Sequence, residues 1–540
     1  MSKTALLSVY DKTGIVEFAQ ELVQLDWDIY SSGGTAKVLD DAGVPVTDIQ
    51  EIVGPAILDH RVATLSRELH GGLLADYIAH LEEMEQLGFR YIDLVCVDLY
   101  PLDVAISAAD ATRESVIKQT DIGGPTMMLA GAKGDRIVIS DPVDRMRVIE
   151  WLKAGEPDHD EFINELGAKA YFTDSRYRLL SARYHSGGRY DGILGERVLT
   201  CKYGENAQQT PAAFFSSAKT DPLSLDQFDV VAGTDPSYNN LVEIGDRQVQ
   251  TITHIAAGFE RNFGDVPLIA IGGKHGNCCG AAVGDDPAEV IRQMLAGDLR
   301  AIHGGLVMTN FDITAELAEI LLSWKIGGAK RRILDAISAP GFDDEAIRML
   351  SRKGDKCRFL ANPALSEVGE GLLDTAPRFR YVRGGFLLQP NYTFVLELPS
   401  EDLITPQPIL RDLVLAWAIG STSNSNTITL TRNGTLLGNG VGQQDRVGGA
   451  ELAIKRACDA NKLLGAEARV DGQELEGAAG YSDSFFPFPD GVQVLIEAGV
   501  GAILATSGSV NDDATLELCQ KHGVRLIWLP DSVARGFAFH

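Results

Sequence analysis

The chain has 540 residues, of which 45% are hydrophobic and 23% charged, which is the composition of a globular protein with a large core rather than of a disordered chain. Its formal net charge is −27. A surface this acidic repels phosphate backbones and disfavours broad nucleic-acid binding, although a local pocket for one phosphate is compatible with it.

Cysteine spacing and hydropathy exclude further classes of protein. The seven cysteines include no Cys-x-x-Cys pair, which indicates reduced thiols rather than a disulfide framework or a zinc site. No stretch of about 18 apolar residues occurs, and the apolar part of the N-terminus is too short for a signal peptide. We therefore expect a cytoplasmic protein that neither enters a membrane nor holds a catalytic metal.

Strand and helix patterns alternate over residues 1–140. A helical stripe follows Asp11, and a second helix pattern begins at Ala36. Four apolar runs have the length of buried strands: Thr4–Val9, Asp28–Ser31, Asp93–Asp98 and Arg136–Ser140. This alternation predicts an α/β domain with an open, mostly parallel sheet.

The rest of the chain divides into a connector and two further α/β segments. Residues 141–197 are predicted to be a helical connector that ends near Ser186-Gly187-Gly188, and the segments after it span 198–405 and 406–540. A helix is expected from about Arg411. Strands are expected at Leu268–Gly273, Leu306–Met308, Tyr392–Leu398 and Ala502–Ala505, and a hairpin at Thr427–Leu430 and Thr435–Leu437 around Asn433-Gly434, where both residues tolerate positive φ.

The loop Ser32-Gly33-Gly34-Thr35 lies between a strand and a helix. Glycines there let backbone N–H groups converge on an anion, and the helix N-terminus adds a positive partial charge. The loop is therefore either a phosphate site or a tight turn with a capping threonine.

A second polar loop, Asp121–Thr126, opens another helix pattern, and Lys133 follows it. A straight helix would separate Asp121 from Lys133 by about 18 Å at the usual rise per residue, so the chain must bend if both serve one site. Without such a bend, Asp121 is a helix cap and Lys133 a surface residue.

Lys274-His275 directly follows an apolar strand and begins a glycine-containing loop. A histidine beside a cation can act as a general base, whereas the alternative is a structural histidine that satisfies loop carbonyls. Two further loops, Ser484–Asp490 and Thr506–Ser509, could stack on a flat heterocycle and bind polar groups.

Taken in order, these segments resemble the bifunctional purine-biosynthesis enzymes that join AICAR transformylase to IMP cyclohydrolase. The resemblance runs the whole length of the chain. The matching motifs are Ser8–Gly14, Ser32–Thr35, His70–Gly72, Asp98–Pro101, Asp121–Thr126, Ala132-Lys133, Lys202–Asn206, Lys274–Asn277, Ala339–Gly341, Gly442–Arg446 and Ser482–Asp490.

The resemblance implies an α/β fold with a methylglyoxal-synthase-like N-terminal domain followed by two cytidine-deaminase-like subdomains. It implies a homodimer with shared transformylase sites and 10-formyltetrahydrofolate as co-substrate, while formate remains a possible donor. His275 would be the general base for AICAR formylation and Lys274 would stabilise the formyl oxygen. AICAR would contact Lys202, Tyr203, Asn240, Gly341, Asn362, Asn424, Arg446 and Arg535, and the folate would contact Val447, Phe485, Asp490, Ser507 and Gly508.

For the cyclisation of formyl-AICAR to IMP, the resemblance implies proton carriers and an oxyanion stabiliser. It assigns the chemistry to Lys133, Tyr100 and Asp121. Nucleotide contacts would come from Tyr10, Asp11, Lys12, Ser32, Gly33, Gly34, Thr35, Arg61 and Thr64.

Two cations of the family's cyclisation site are absent from this chain. Ala63 stands where the family has lysine, and Leu129 where it commonly has arginine, although Arg67 could replace one of them. The alternative function is therefore a transformylase whose N-terminal domain only binds nucleotide. A non-enzymatic folate- or nucleotide-binding protein would not need His275 beside Lys274, and a nucleic-acid deaminase would need the zinc-ligand signature that is missing here.

Overall fold

The computed structural model describes residues 2–59, 61–217, 220–326, 330–400, 402, 405–465 and 475–539. The chain folds into two compact units, Met1–Leu194 and Gly195–His540. Within the described ranges, no helix is both long enough and apolar enough to cross a membrane.

The first unit is built around a five-stranded parallel sheet with the order β3-β2-β1-β4-β5. Apolar clusters cover both faces of this sheet. The predicted parallel α/β architecture and all four predicted strands are confirmed. The elements are β1 (Thr4–Ser8), α1 (Ile15–Gln24), β2 (Asp28–Ser31), α2 (Gly33–Asp41), β3 (Thr47–Asp48), α3 (Gln50–Val53), α4 (Arg67–Leu74), α5 (Leu81–Leu87), β4 (Leu94–Val97), α6 (Leu102–Ser107), α7 (Arg113–Lys118), α8 (Gly123–Lys133), β5 (Ile137–Ile139), α9 (Asp144–Lys153) and α10 (His159–His185).

Helix α2 begins three residues earlier than the predicted start at Ala36. Gly33 and Gly34 form its first turn, and Ser32 is its N-cap residue. The predicted connector consists of α9 and α10, and α10 ends at His185, just before the glycine pair. Both helices belong to the first unit. The predicted domain boundaries themselves remain predictions.

The second unit contains an eleven-stranded mixed sheet with the order β20-β19-β18-β16-β17-β10-β9-β11-β12-β13-β8, and two separate hairpins, β6–β7 and β14–β15. Its elements are β6 (Glu196–Cys201), β7 (Ala212–Ser216), β8 (Asp229–Ala232), α11 (Tyr238–Leu241), α12 (Val249–Phe263), β9 (Leu268–Lys274), β10 (Asn277–Gly284), α13 (Pro287–Ala296), β11 (Gly305–Thr309), α14 (Ala315–Ser323), β12 (Leu334–Ala339), α15 (Asp344–Leu350), β13 (Arg358–Ala361), β14 (Arg378–Val382), β15 (Gly385–Gln389), α16 (Gln407–Ser421), β16 (Ile428–Arg432), β17 (Thr435–Gly440), α17 (Arg446–Leu464), β18 (Ala479–Ser482), α18 (Asp490–Glu497), β19 (Ala502–Ser507), α19 (Asp512–His522), β20 (Arg525–Pro530) and α20 (Asp531–Ala534).

The large sheet repeats one topology in its two halves. In the first half, the antiparallel hairpin β9–β10 is followed by the parallel strands β11, β12 and β13. In the second half, the hairpin β16–β17 is followed by β18, β19 and β20 in the same arrangement. The almost wholly buried helices α12 and α16 precede the two halves and pack into one core.

Because β10 and β17 pair antiparallel, the two halves point their parallel strands in opposite directions. The carboxyl ends of β18, β19 and β20 therefore lie at the same edge of the sheet as Lys274, which we name the Lys274 edge. The carboxyl ends of β11, β12 and β13 lie at the other edge, which we name the Asn362 edge.

The strand predicted at Tyr392–Leu398 is wrong, because this segment pairs with no strand of the described structure. Side chains of α12 take the place of a strand partner. The Asn262 amide accepts the Leu398 N–H at 2.8 Å and donates to the Leu396 carbonyl at 2.8 Å. Gln250 donates to the Tyr392 carbonyl at 2.9 Å. The apolar residues of this segment therefore reflect its packing against α12 and not membership of a sheet.

The predicted Asn433-Gly434 hairpin is confirmed. Both residues have positive φ, 52° and 70°, as a two-residue type I′ turn requires. The buried Asp412 carboxylate accepts the N–H groups of Asn433 and Gly434 at 2.8 and 2.7 Å. This side chain from α16 therefore fixes the turn from outside the hairpin.

Candidate active sites

The first candidate site lies where the strand order of the first unit changes direction. Strands β1 and β4 are neighbours, and the chain leaves their carboxyl ends towards Tyr10 and Tyr100. The two rings contact edge to face, with centroids 5.3 Å apart. Open α/β sheets bind ligands at such a switch point, outside the carboxyl ends of the strands.

The Ser32–Thr35 segment borders this point. The Thr35 hydroxyl accepts the Val9 N–H at 3.2 Å and donates to the Val9 carbonyl at 3.1 Å, so it ties α2 to the end of β1. The Ser32 and Ser8 hydroxyls are 2.8 Å apart. Gly33 and Gly34 leave the N-terminus of α2 open, and an anion can approach the backbone N–H groups there.

Lys12 and Asp11 lie beside the same helix terminus. The Lys12 ammonium donates to the carbonyls of Val9 and Tyr10, and burial lowers its pKa. A Cβ at Gly34 would lie 4.0 Å from Lys12 Cε, which places this cation next to the loop. The Asp11 carboxylate instead accepts bonds from Thr13, which lower its pKa, so its side chain shapes the β1–α1 loop.

Asp98 and Arg145 hold this loop in place, and neither was among the predicted site residues. Asp98 accepts the Tyr10 and Asp11 N–H groups. Burial raises the pKa of Asp98, and this effect outweighs the lowering by these two hydrogen bonds. Arg145 lies 3.4 Å from Asp98 and donates to the Thr13 carbonyl at 2.6 Å. The sequence signal for Asp98 was its place at the end of the predicted strand Asp93–Asp98, which does not reveal these contacts.

Asp121 lies at the start of α8 and joins Tyr10, Asp98 and Tyr100, which together we name the Tyr100 cluster. Its carboxylate accepts the Gly124 N–H at 2.9 Å, and burial raises its pKa. Burial and the Asp121 charge raise the pKa of Tyr100, so this phenol stays protonated at neutral pH. The Asp121 N–H donates to the Tyr177 hydroxyl at 2.6 Å, and Tyr177 is a further residue that sequence reasoning missed.

The remaining predicted residues of this site divide into those near the cluster and those away from it. Thr64 lies near, because a Cβ at Gly123 would be 2.5 Å from its hydroxyl. Arg61 is exposed, and its described contact is a backbone hydrogen bond from its N–H to the Leu58 carbonyl. The structure does not bring Lys133 to the cluster. Helix α8 runs unbroken from Gly123 to Lys133, since Pro125 lies in its first turn, and about 15 Å separates its two ends.

The second candidate site is centred on the turn between β9 and β10. Lys274 and Asn277 pair across the turn, and His275 and Gly276 have φ of 56° and 76°, which is again a type I′ turn. The His275 side chain is exposed, and the Lys274 ammonium donates to the His303 carbonyl at 2.8 Å. A tight turn on a buried strand therefore presents a base and a cation side by side.

Asparagine and arginine side chains extend the site along the Lys274 edge. Asn277 accepts the Asn424 N–H at 3.0 Å. Arg446 donates to Asp483 at 2.8 Å and to the Phe485 carbonyl at 2.7 Å. Asp483 is fully buried, so this ion pair anchors the predicted AICAR contact Arg446; sequence reasoning missed Asp483.

The predicted folate contacts meet at the same edge. A Cβ at Gly508 would lie 3.8 Å from the Phe485 ring and 3.6 Å from Asp531. Ser507 donates to the Leu529 carbonyl at 3.4 Å, and Arg535 pairs with Asp531. Asp490 begins α18, and Val447 lies in the first turn of α17.

Asn240 lies in α11, which leads into the segment Val242–Gln248, and Lys202 and Tyr203 belong to a loop that α11 contacts. Lys202 and Tyr203 follow β6, and Asn239 donates to the Glu205 carbonyl of the same loop at 3.2 Å. Asn240 is buried, and its side-chain oxygen accepts the Ser237 N–H at 3.1 Å, so it caps α11.

Gly341 and Asn362 are not brought to the Lys274 edge. Gly341 follows β12 and Asn362 follows β13, so both lie at the Asn362 edge. The Asn362 amide donates to the Pro222 carbonyl at 2.8 Å and accepts the Ala364 N–H at 3.0 Å. In one copy of the chain these residues cannot contact the same ligand as His275. Across the residues that the structure describes, no group of three or more His, Cys, Asp or Glu is arranged to hold a metal ion.

Comparison with known proteins identifies the family. The family described as AICARFT/IMPCHase bienzyme matches residues 132–456, and the MGS-like domain matches residues 14–126. The bifunctional purine biosynthesis protein PurH of Oceanobacillus iheyensis is 32% identical over 98% of both chains. The proteins of the same name from Bacillus cytotoxicus and Persephonella marina are 33% and 31% identical, again over 98% of both chains. The crystal structure of ForH aligns with 34% of this chain and 100% of its own, at 31% identity and a TM-score of 0.31.

These matches fit the geometry of both units. The MGS-like match covers β2, β3 and β4 of the parallel sheet together with Tyr100, and the bienzyme match covers the Lys274-His275 turn. The chain therefore belongs to the AICARFT/IMPCHase bienzyme family, whose members formylate AICAR and close the product to IMP.

Proposed function

We propose that the second unit transfers the formyl group of 10-formyltetrahydrofolate to the 5-amine of AICAR, and that the first unit closes formyl-AICAR to IMP. The observation that carries the proposal is the Lys274-His275 pair, held on a type I′ turn at the end of a buried strand. A pure binding protein has no need for a base beside a cation.

Formyl transfer needs a proton acceptor and an oxyanion partner. The amine nitrogen of AICAR attacks the formyl carbon, and His275 takes the proton that the amine loses. Lys274 stabilises the negative charge that develops on the formyl oxygen. The bond between the formyl carbon and the folate nitrogen then breaks, and that nitrogen takes up a proton.

The Phe485–Gly508 region fits a folate as the donor. The Phe485 ring lies against Gly508, and the exposed Phe488 follows in the same loop, so a flat pterin could stack between aromatic and backbone surfaces. Formate offers no ring for such a surface. This supports a folate over free formate as the source of the formyl group.

Cyclisation needs proton carriers around one face of the substrate. The carboxamide nitrogen attacks the formyl carbon, and one water leaves as the ring closes. Tyr100 and Asp121 would carry the protons, because burial favours the neutral form of each. Lys12 and the N-terminus of α2 would hold the nucleotide phosphate.

A second candidate function is formyl transfer without cyclisation. The family's lysine is Ala63 in this chain, and Lys133 lies at the far end of α8 from Asp121. Each of these two observations means that one expected cation is not near Tyr100.

Homodimerisation would explain the separation of Asn362 from His275. If the Lys274 edge of one copy meets the Asn362 edge of another, each site receives both sets of AICAR contacts. A two-fold axis would create two such sites.

Replacement of His275 by alanine tests the assignment of the base. We expect formyl transfer to fall at least a hundredfold, roughly the contribution of a general base, while the affinity for AICAR changes little. The same chains should still cyclise formyl-AICAR that is supplied to them, which controls for folding. Retained formyl transfer would reject His275 as the base.

The same variant also tests the shared site. Copies with His275→Ala and copies with Asn362→Ala, mixed after mild dissociation, should regain about a quarter of wild-type formyl transfer, because half of random dimers carry one intact site. Mixtures no more active than either variant alone would contradict the shared site.

A further inference from the structure

Glu243 lies beneath the turn that carries Lys274 and His275, and no role was predicted for it. It belongs to a π-helical segment, Val242–Gln248, which connects α11 to α12. Such wide turns are rare and occur often at functional sites. The Glu243 side chain is only 5% exposed, so a carboxylate is buried within the core of the second unit.

The carboxylate contacts the turn on both of its sides. One oxygen, Oε2, accepts the Gly276 N–H at 2.6 Å. The other, Oε1, lies against Gly273, where an added Cβ would collide with it. Glu243 therefore touches the residues immediately before and after the Lys274-His275 pair.

The turn is a conformation that needs such support. His275 has φ of 56°, a region that residues other than glycine adopt at a cost, and such strain persists only where the surroundings determine it. A bond from a backbone N–H to a carboxylate is stronger than one to a neutral oxygen. Because the Gly276 N–H lies one residue after His275, this bond fixes the peptide that orients the base.

Burial of this carboxylate is costly, because only one of its two oxygens accepts a hydrogen bond within the described structure. Oε1 is buried without a hydrogen-bond partner within the described structure. Burial raises the pKa of Glu243, and first the Gly276 N–H and then the charge of Arg247 oppose that shift. A group buried at such a cost for packing alone could be replaced by an apolar side chain, so the bond to Gly276 is its distinguishing contribution.

We propose that Glu243 is a positioning residue for formyl transfer, which acts by holding the Lys274-His275 turn in its reactive conformation through the Gly276 N–H. The inference rests on the proposed function of the second unit. It concerns the second unit only, and predicts no change in the cyclisation reaction.

Four variants of the full-length chain separate this role from packing. Glu243→Met keeps the volume and removes the acceptor, and Glu243→Asp keeps the charge but is one methylene too short to reach Gly276. Glu243→Gln keeps an oxygen that can accept the bond. Glu260→Met is the matched control, because Glu260 also accepts a backbone N–H, that of Glu370 at 2.8 Å, near the other end of α12.

The measurements are kcat and KM for formyl transfer, the equilibrium affinity for AICAR, and cyclisation of supplied formyl-AICAR. We expect kcat to fall about ten- to a hundredfold in Glu243→Met and Glu243→Asp, the effect of losing one buried charge-assisted bond. Glu243→Gln should lose at least about fivefold less than Glu243→Met, and rescue of this kind distinguishes positioning from packing. AICAR affinity and cyclisation should stay within about twofold of wild type, and Glu260→Met should match wild type.

Three results would overturn the inference. One is wild-type kcat in Glu243→Met, and another is an equal fall in the Gln and Met variants. The third is a fall in AICAR affinity that accounts for the whole loss. If Glu243→Met does not fold, the comparison of Gln with Asp decides in the same way. Absence of formyl transfer in the wild-type chain would instead reject the proposed function, and the inference with it.

Discussion

At the scale of single residues, the site of the first unit depends on a buried ion pair. Arg145 and Asp98 are 5% and 14% exposed in their side chains, and together they bond the backbone of Tyr10, Asp11 and Thr13. The pair therefore connects β4 and α9 to the loop that presents Tyr10 and Lys12.

Arg145→Met should destabilise the first unit. Removing one partner of a buried pair leaves an uncompensated charge, at a cost of about 3–5 kcal/mol. We expect a loss of this size in the free energy of unfolding measured in urea, together with a loss of cyclisation. Arg147→Met on the same helix is the control, because Arg147 and Glu165 are 44% and 56% exposed and such pairs contribute less than about 1 kcal/mol. Equal losses in both variants would contradict this account.

Sequence reasoning found the residues that carry chemistry more readily than those that position them. Lys274 and His275 are adjacent and follow an apolar strand, so a local motif and the family resemblance identify both. Asp98, Asp483 and Glu243 act through partners far away in sequence, and no local pattern reports such contacts. Lys133 shows the converse, because a motif match placed it in a site from which an unbroken helix separates it.

At the scale of elements, the β16–β17 hairpin is fixed from outside by α16. Asp412 is 3% exposed, accepts both N–H groups of the turn, and has a pKa raised to about 6 by burial. In the unfolded chain the same carboxyl has its ordinary pKa, near 3.8. The folded protein therefore holds a proton that the unfolded chain has released between about pH 4 and pH 6.

Stability should consequently fall as the pH rises through this window. The contribution of Asp412 is fully present below about pH 4 and is lost as the pH passes about 6, with a size of at most about 3 kcal/mol. Asp412→Asn does not titrate, so the difference in unfolding free energy between wild type and this variant should change by that order from pH 4 to pH 7. A difference that is constant over this range would show that Asp412 titrates normally in the folded protein.

Elements with a strong local signal were predicted well, and the others were not. The strands of the first unit are short apolar runs between helices, and the Asn433-Gly434 turn follows from backbone conformation alone. The segment Tyr392–Leu398 has the same apolar character as a strand, but Asn262 and Gln250 of α12 satisfy its backbone instead of a neighbouring strand. An apolar pattern indicates that a segment is buried. It does not show which distant element covers the segment, because that depends on the tertiary fold.

At the scale of the whole molecule, the large sheet has two halves of one topology that face opposite ways. No recurring residues reveal this repeat, because it resides in strand order and direction, and only the family resemblance, which implies two subdomains of one fold type, pointed to it. It places the Lys274 edge and the Asn362 edge on opposite sides of one sheet. If Asn362 contacts AICAR as proposed, a complete transformylase site requires a second copy, whereas the cluster around Tyr100 and Asp121 forms within one unit.

The most direct test of the central claim is product analysis. The purified full-length chain is incubated with AICAR and 10-formyltetrahydrofolate, and the products are separated by chromatography. We predict that IMP accumulates, which requires formyl transfer by the second unit and ring closure by the first. Ring closure of formyl-AICAR in a parallel incubation without protein is the control, and IMP must form faster than in that control. Accumulation of formyl-AICAR without IMP would contradict cyclisation and favour the transformylase-only alternative, and formation of neither product would contradict the account as a whole.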